Sequence, residues 1–214
     1  MIEIIRRLNP SSAKARELFR FRHLVFVEHA GWELPCHDQL EMDEFDTEHA
    51  VHLVRRNEAG EVVGQLRLLP TTRPYMIQQL WPDLMGPTPL PQSPRVWEVT
   101  RLGADPRLGL LERGRVVAEL VTACIEYGMQ HGIVEMLAVM GEDHARKSVR
   151  GMGWSYERLG PMRTLGTESV MAARLPLNER ELASVHRRTR IQNCLRPEAV
   201  PVMTPAVRVP ALSV

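Results

Sequence analysis

Arg95-Val96-Trp97-Glu98-Val99-Thr100-Arg101-Leu102 is the stretch on which the fold turns. Val96, Val99, Leu102 and the indole of Trp97 mark a short, largely buried strand, because β-branched and aromatic side chains fill a pleated, half-buried surface. The same eight residues carry a carboxylate and two guanidiniums. A core strand keeps such groups only when they are paired or put to use, since an uncompensated buried charge is costly. The octapeptide therefore reads as the centre of a sheet and as the first place to look for chemistry.

Working outward, residues 49–55 and 61–69 read as two strands joined by the turn Arg55-Arg56-Asn57-Glu58-Ala59-Gly60. After the octapeptide, a Gly/Asp/Pro turn leads into residues 108–130, where Leu111, Val116, Leu120, Val121, Cys124 and Ile125 recur near helical spacing. Residues 133–140 read as a buried strand, 142–151 as a helix, 154–159 and 167–175 as strands, and 178–191 as a polar helix. At the other end, residues 1–8 read as an edge strand, and Asn9-Pro10-Ser11-Ser12 supplies a turn and a helix start for residues 13–27. Strands with covering helices indicate an α/β (α+β) domain over residues 1–195, followed by a Pro/Val-rich tail over 196–214, extended or partly disordered.

The 214 residues suffice for one domain with a full core. A net charge of +1, from 27 basic and 26 acidic residues, gives no bulk field for gripping nucleic acid. Cys36, Cys124 and Cys194 form no C-x-x-C pair, so neither a disulfide framework nor a zinc ribbon is expected, and a reducing cytoplasm fits. No apolar run is long enough to span a bilayer, and Glu3, Arg6 and Arg7 interrupt any signal core, so no membrane span or export is expected.

Several polar residues stand in apolar company. Arg22 and Phe26, four apart, share a helical face, either as a surface arginine over a core phenylalanine, the commoner case, or as one side of a ligand clamp. Residues 28–47 form a long loop with Trp32, Glu41, Asp43, Glu44 and Asp46, whose carboxylates hold a cation or merely solvate the loop. Arg67 interrupts Leu66, Leu68 and Leu69 and must snorkel out or meet an anion. His49 and His52 fall on opposite faces of a strand, and no metal site is expected. Residues 70–94 hold seven prolines with Met76, Trp81 and Met85, an irregular excursion that either covers something apolar or packs on the sheet. Gly109 to Arg115 offers glycine and arginine at a helix N-terminus but matches a phosphate loop poorly. Arg146, Lys147 and Arg150 form a basic patch that meets an acidic partner or is a solvated helix face.

Taken together, Arg22-x-x-Val25-Phe26, Trp32, Glu41-Met42-Asp43-Glu44-Phe45-Asp46, Gly64-Gln-Leu-Arg67-Leu-Leu-Pro70-Thr71-Thr72 and Trp97-Glu98-Val99-Thr100-Arg101 resemble the LuxI-type acyl-homoserine-lactone synthases. The resemblance implies a fold related to GCN5-type N-acetyltransferases, a single domain with a twisted mixed sheet flanked by helices and a thioester donor in a cleft between splayed strands. It also implies a reaction, in which the amine of S-adenosylmethionine is acylated from an acyl thioester. The methionyl carboxylate then closes on its own γ-carbon, releasing methylthioadenosine and a quorum-sensing homoserine lactone. The family's catalytic glutamate and arginine fall on Glu98 and Arg101, and its S-adenosylmethionine-binding residues on Arg22, Phe26, Trp32, Asp43, Asp46 and Arg67.

Met76, Trp81, Thr100, Leu102, Val139 and Met140 fall at the implied acyl pocket. The chain departs there from the family's usual Ser-Arg-Phe, with Thr100-Arg101-Leu102, and from a phenylalanine at Trp81. Members that accept 3-oxo chains often carry a threonine where Val139-Met140 stand, so an unsubstituted, short or branched chain is expected. The donor is an acyl carrier protein or coenzyme A, with Arg146, Lys147 and Arg150 as the dock for an acidic carrier. Both reactants are substrates, and no separate cofactor is expected.

The chemistry gives these assignments a rationale. An α-amino group with a reference pKa of about 7.7–8.0 must lose a proton before it attacks, and Glu98 is the candidate base, directly or through a water. A free N–H from a bulge in the central strand or its neighbours would serve the developing oxyanion. The rival readings are a GCN5-type N-acetyltransferase using acetyl-coenzyme A, which would want a better pyrophosphate loop, and a non-catalytic sensor of S-adenosylmethionine or an acyl group, which would show no turnover.

Overall fold

The computed structural model describes residues 1–196. Strand β1 (Ile2–Arg6) leads into α1 (Ala13–Arg22), which continues directly as a π-helical segment, His23–His29. A short hairpin follows, β2 (Cys36–His37) and β3 (Leu40–Glu41), and then β4 (Val51–Arg56) and β5 (Val62–Pro70). Helix α2 (Met76–Leu80) and a 3-10 turn, Pro82–Met85, precede β6 (Val96–Ala104) and the long α3 (Leu110–Gln130). After β7 (Glu135–Gly141), the single turn α4 (Glu142–His144) runs into a π segment, Ala145–Val149, and a 3-10 turn, Arg150–Met152. Strands β8 (Glu157–Arg158), β9 (Arg163–Leu165) and β10 (Glu168–Pro176) and helix α5 (Glu179–Thr189) complete the fold.

The large sheet has the order β1-β4-β5-β6-β7-β10-β8, with β9 also on β10. Its pairings are antiparallel except β6 with β7, which is parallel. That one parallel ladder has three rungs, Val96 to Glu135, Trp97 to Met136 and Glu98 to Leu137. Both strands run on, to Ala104 and Gly141, paired with their outer neighbours β5 and β10 but not with each other. The sheet therefore splits into a V whose apex is Glu98, and backbone groups past the apex face a gap where a ladder would otherwise satisfy them.

Local chemistry explains the flanking layers. Ser12 caps α1, its hydroxyl accepting from Ala15 N at 3.1 Å, which satisfies one of the orphan amides of the first turn. On one face of the sheet, Leu120, Val121, Cys124 and Ile125 of α3 pack on Leu53, Leu66 and Leu68. On the other, Leu18, Phe19 and Phe21 of α1 meet Ile5, Val54 and Val62. A third cluster under α2 joins Leu69, Tyr75, Ile77 and Leu84 to Leu137, Val170 and Ala172. The Pro-rich excursion is thus a packed element of the core on this side of the sheet.

Other expectations need correction. The helix expected over 13–27 changes from α to π after Arg22, and the loop expected over 28–47 contains the end of that segment and the β2–β3 hairpin. The strand expected over 154–159 shrinks to Glu157–Arg158, because Trp154 turns inward and its indole N–H donates to Pro176 O at 2.8 Å. Strand β9 and helix α2, each of five residues or fewer, lack the length over which periodicity can be read. The helix expected over 142–151 is three short pieces of different pitch. Residues 197–214 of the expected tail lie outside the described residues. The segment ahead of them adds to the edge of β1, with Ile2 N donating to Cys194 O and Arg196 N to Ile2 O.

Gly103 shows how closely the π segment approaches β6. A Cβ there would sit 2.8 Å from Val25 Cγ1 and 3.1 Å from Phe26 Cζ. Gly103→Ala is expected to destabilise the protein by about 1–3 kcal/mol through overpacking. Urea unfolding checks this, and a midpoint equal to wild type would mean the contact is loose.

Candidate active site

Glu98 lies at the apex of the V with 1% of its surface exposed. Its carboxylate accepts from the backbone amides of Met76 at 2.7 Å and Ile77 at 3.1 Å, the first two residues of α2. Burial pushes its pKa up to about 7, outweighing the opposite pull of those two amides and of the Arg67 and Arg101 charges. A carboxyl poised there shares its proton at neutral pH, which is the range where a general base works best.

Beside it, the strand bulges. Arg67 of β5 faces Thr100, whereas Gln65 faces Gly103, so one extra residue is accommodated in β6. Arg101 takes up the irregularity at φ +53°, a conformation that a non-glycine residue adopts at some cost. The consequence is that consecutive residues face the same side: the Thr100 hydroxyl accepts from Arg67 Nε at 3.1 Å, and Arg101 reaches Glu41 and Asp43.

Three buried guanidiniums and three carboxylates then close on one another. Arg22 Nε donates to Glu41, and its Nη1 to Asp46 Oδ1 at 2.6 Å. Arg67 Nη1 reaches Asp46 Oδ1 at 2.7 Å and Asp43 Oδ1 at 2.5 Å, and its Nη2 reaches Asp43 Oδ2 at 2.9 Å. Arg101 Nη2 donates to Glu41 Oε1 at 2.9 Å and Asp43 Oδ2 at 2.8 Å. Burial raises the Glu41 and Asp46 carboxyls, but their arginine partners more than reverse it and hold both below the ordinary carboxylate range. Met76 links this network to Glu98: its amide donates to the Glu98 carboxylate, and its sulfur lies 3.3 Å from Arg67 Nη2.

The network changes several roles expected from sequence. Arg22, with 0% of its surface exposed, is a buried residue whose ring partner is Phe19 at 5.4 Å. Phe26 is covered instead by Arg101 at 5.9 Å, because the π segment that starts at His23 breaks the four-residue register. Arg22, Arg67 and Asp46 are bonded to one another or to neighbouring carboxylates, and so order residues 41–46 against the sheet. Arg101 likewise has its charge committed to Glu41 and Asp43. Among the residues assigned to S-adenosylmethionine, Trp32, 38% exposed and stacked on Phe26 at 5.0 Å, and Asp43 reach the surface.

Glu41 is the residue that sequence reading missed. The signal was available in the charge balance: three arginines in apolar segments require three buried carboxylates, and the acidic run over residues 41–46 had four to offer. Glu44, the one left over, is exposed.

The six acyl-pocket residues do not share one wall. Strand alternation sends Leu102 and Met140 to the α3 face and Val139 to the cluster under α2, where Met76 of α2 and Trp81 at its end also pack. Thr100 is tied to Arg67. These residues flank the V from both sides of the sheet. Beyond it, Arg146 and Lys147 share Asp143, at 2.7 and 3.3 Å, and Arg150 lies 4.9 Å over the Tyr156 ring, so the exposed basic patch is partly neutralised. His52 is buried and His49 exposed, and among the described residues no three His, Cys, Asp or Glu side chains converge as a metal site.

Comparison with known proteins sets this geometry in context. The family profile described as "Autoinducer synthase" matches residues 7–185. An acyl-homoserine-lactone synthase of Ralstonia solanacearum is 32% identical over 173 residues, covering 78% of this chain and 84% of that protein. The solved structure of BjaI, a CoA-dependent acyl-homoserine lactone synthase with SAM and isopentyl-CoA, superposes with a TM-score of 0.79 at 29% identity, covering 92% of each chain. A putative N-acetyltransferase from Lactobacillus plantarum shares the fold, with a TM-score of 0.56 at 19% identity over 83% of this chain and 99% of that one.

Proposed function

Because the chain belongs to the autoinducer synthase family, we infer that its V-shaped cleft brings an acyl thioester and S-adenosylmethionine together at Glu98. The protein is an acyltransferase, an acyl-homoserine-lactone synthase. The observation that carries the site assignment is the position of Glu98, a buried carboxyl with a pKa near 7 at the rung where β6 and β7 part.

In this reading the thioester enters the gap between the strands, and the S-adenosylmethionine amine approaches from the Trp32 side. Glu98 removes the ammonium proton through one water, which its burial requires, the free amine attacks the thioester carbonyl, and collapse of the tetrahedral adduct breaks the C–S bond, the departing thiolate taking up the second nitrogen proton. A backbone amide at the β6 bulge is the proposed donor to the oxyanion, a fixed dipole that costs no reorganisation during the reaction. The Phe26–Trp32 stack offers an aromatic face to the adenine or sulfonium. Lactone closure then depends on the carboxylate facing the γ-carbon in line with the departing sulfur, for which positioning is sufficient. Neither step calls for a redox group or a metal, so we assign no cofactor beyond the two substrates.

Two finer assignments rest on surroundings. The walls contributed by Met76, Trp81, Leu137 and Val139 are hydrocarbon, thioether and indole, with the Tyr75 hydroxyl already bonded to Pro91 O. A 3-oxo carbonyl would lose its water there without a partner, at a cost of about 1–3 kcal/mol. The 3-oxo thioester is therefore expected to be turned over about tenfold or more less efficiently than the unsubstituted one of equal length. Competition between the two, read by product mass spectrometry, checks this, and equal use would contradict it. Both coenzyme A and an acyl carrier protein remain proposed donors: the exposed Arg146, Lys147 and Arg150 suit an acidic carrier, and their sharing of Asp143 weakens that pull. Three free cysteines, one of them exposed, support a reducing, cytoplasmic setting.

The experiment that tests the function is incubation of the purified protein with S-adenosylmethionine and a panel of acyl thioesters. Methylthioadenosine and an N-acyl-homoserine lactone are expected in equal amounts, and an acylated amine without methylthioadenosine would overturn the reading.

A further inference from the structure

Glu98 is held by a segment that takes no part in the proton transfer itself. Its two amide donors, Met76 and Ile77, sit where the chain turns into α2, a helix too short to be stable alone. Something else must fix that turn. Tyr75, immediately before it, has 0% of its surface exposed and donates its hydroxyl proton to Pro91 O at 3.0 Å. Nearby, the Thr71 hydroxyl donates to Val96 O at 2.8 Å and accepts from Ser93 N at 3.1 Å. These bonds tie the two ends of the Pro-rich excursion together directly before β6, leaving the Tyr75 phenol as the tether closest to the amides.

We propose that Tyr75 is a positioning residue for the acyl transfer: by anchoring to Pro91 O it aims the Met76 and Ile77 amides at Glu98 and so sets how readily that carboxyl gives up its proton. The inference rests on the reading of Glu98 as the base. Two amides bonded to the ionised carboxyl favour its charged form, against the burial that disfavours it. Loosening the turn weakens the first effect and leaves the second. The other charged groups facing Glu98 are Arg67 from β5 and Arg101 from β6, each paired with carboxylates of residues 41–46, and none of these bonds involves the Tyr75 hydroxyl. The side chains of β7 and β10 that join this cluster, Leu137, Val139, Val170 and Ala172, are apolar. Burial and the nearby Glu98 charge push the phenol up to about 12, so it remains a neutral donor while Glu98 titrates.

The test is the pH profile of kcat/KM for the full chain with a saturating thioester. Tyr75→Phe, which keeps the ring and removes the tether, is expected to move the acid limb upward by about half a unit to one unit. Its KM for S-adenosylmethionine and its rate well above the limb should stay within about threefold of wild type. Site-specific 3-fluorotyrosine at position 75, a stronger donor of the same shape, should move the limb the other way, and it decides the matter if the phenylalanine variant is poorly folded. An unmoved limb, or a fall in rate equal at every pH, would overturn the inference while leaving the base assignment intact. Turnover that survives in Glu98→Gln would instead overturn the assignment on which the inference rests.

Discussion

Glu98→Gln is expected to lower turnover by about 10²–10⁴-fold, the usual contribution of a positioned general base, with little change in S-adenosylmethionine affinity. Glutamine matches the shape and keeps one acceptor for the α2 amides but cannot take the ammonium proton. A purely structural cap would behave differently: losing it would loosen α2, weaken stability and leave chemistry slowed only in proportion to the unfolded fraction. The two roles also separate by pH. The folded pKa of Glu98 is about 7, above its ordinary 4.5, so the folded state holds its proton longer than the unfolded chain does. Wild type therefore loses stability as pH rises from about 4.5 to about 7, by about 3 kcal/mol in all, and the loss is complete above that. Glutamine does not titrate. The Tm of Glu98→Gln relative to wild type should rise between pH 5 and pH 8, and a difference that stays constant would show that burial does not raise the carboxyl's pKa above its unfolded value.

The second large effect concerns Glu41. Its carboxylate bonds both Arg22 and Arg101, and neither guanidinium has water to turn to. Glu41→Ala leaves two buried cations short of a partner and is expected to cost about 3–5 kcal/mol, the range seen when one side of a buried ion pair is removed. Glu41→Gln, which retains an acceptor, should lose less. Urea unfolding with an activity assay at low denaturant measures both, and a loss under about 1 kcal/mol for the alanine variant would mean that the network is slack. Because the network holds residues 41–46 to the sheet, surviving Glu41→Ala protein should also show a raised KM for S-adenosylmethionine.

Much of this arrangement is legible in the sequence because charge in an apolar segment is conspicuous. Glu98 and Arg101 in the central strand, Arg67 among leucines and the acidic run after Trp32 all signalled it, and the order of these motifs identified the family. What the sequence concealed depends on geometry. The change of Arg22–Phe26 from one helical face to two separate contacts arises from a single π segment, whose wider repeat leaves the hydrophobic pattern almost unaltered. The bulge that turns Thr100 and Arg101 to the same side is one residue of register, invisible without the partner strand. The role of residues 70–94 was half seen: prolines announced an irregular course, but not that its first helical amides would hold the base.

The measurement that bears most directly on the central claim is single-turnover acyl transfer by wild type and Glu98→Gln across pH 5.5–9, followed by methylthioadenosine release. The account predicts a wild-type rate that climbs with pH through about 7, and a variant whose residual rate lacks that limb and rises only with the free fraction of the substrate amine, around its own pKa of about 7.7–8.0. A variant with the wild-type profile, or with the wild-type rate, would show that some other group takes the proton.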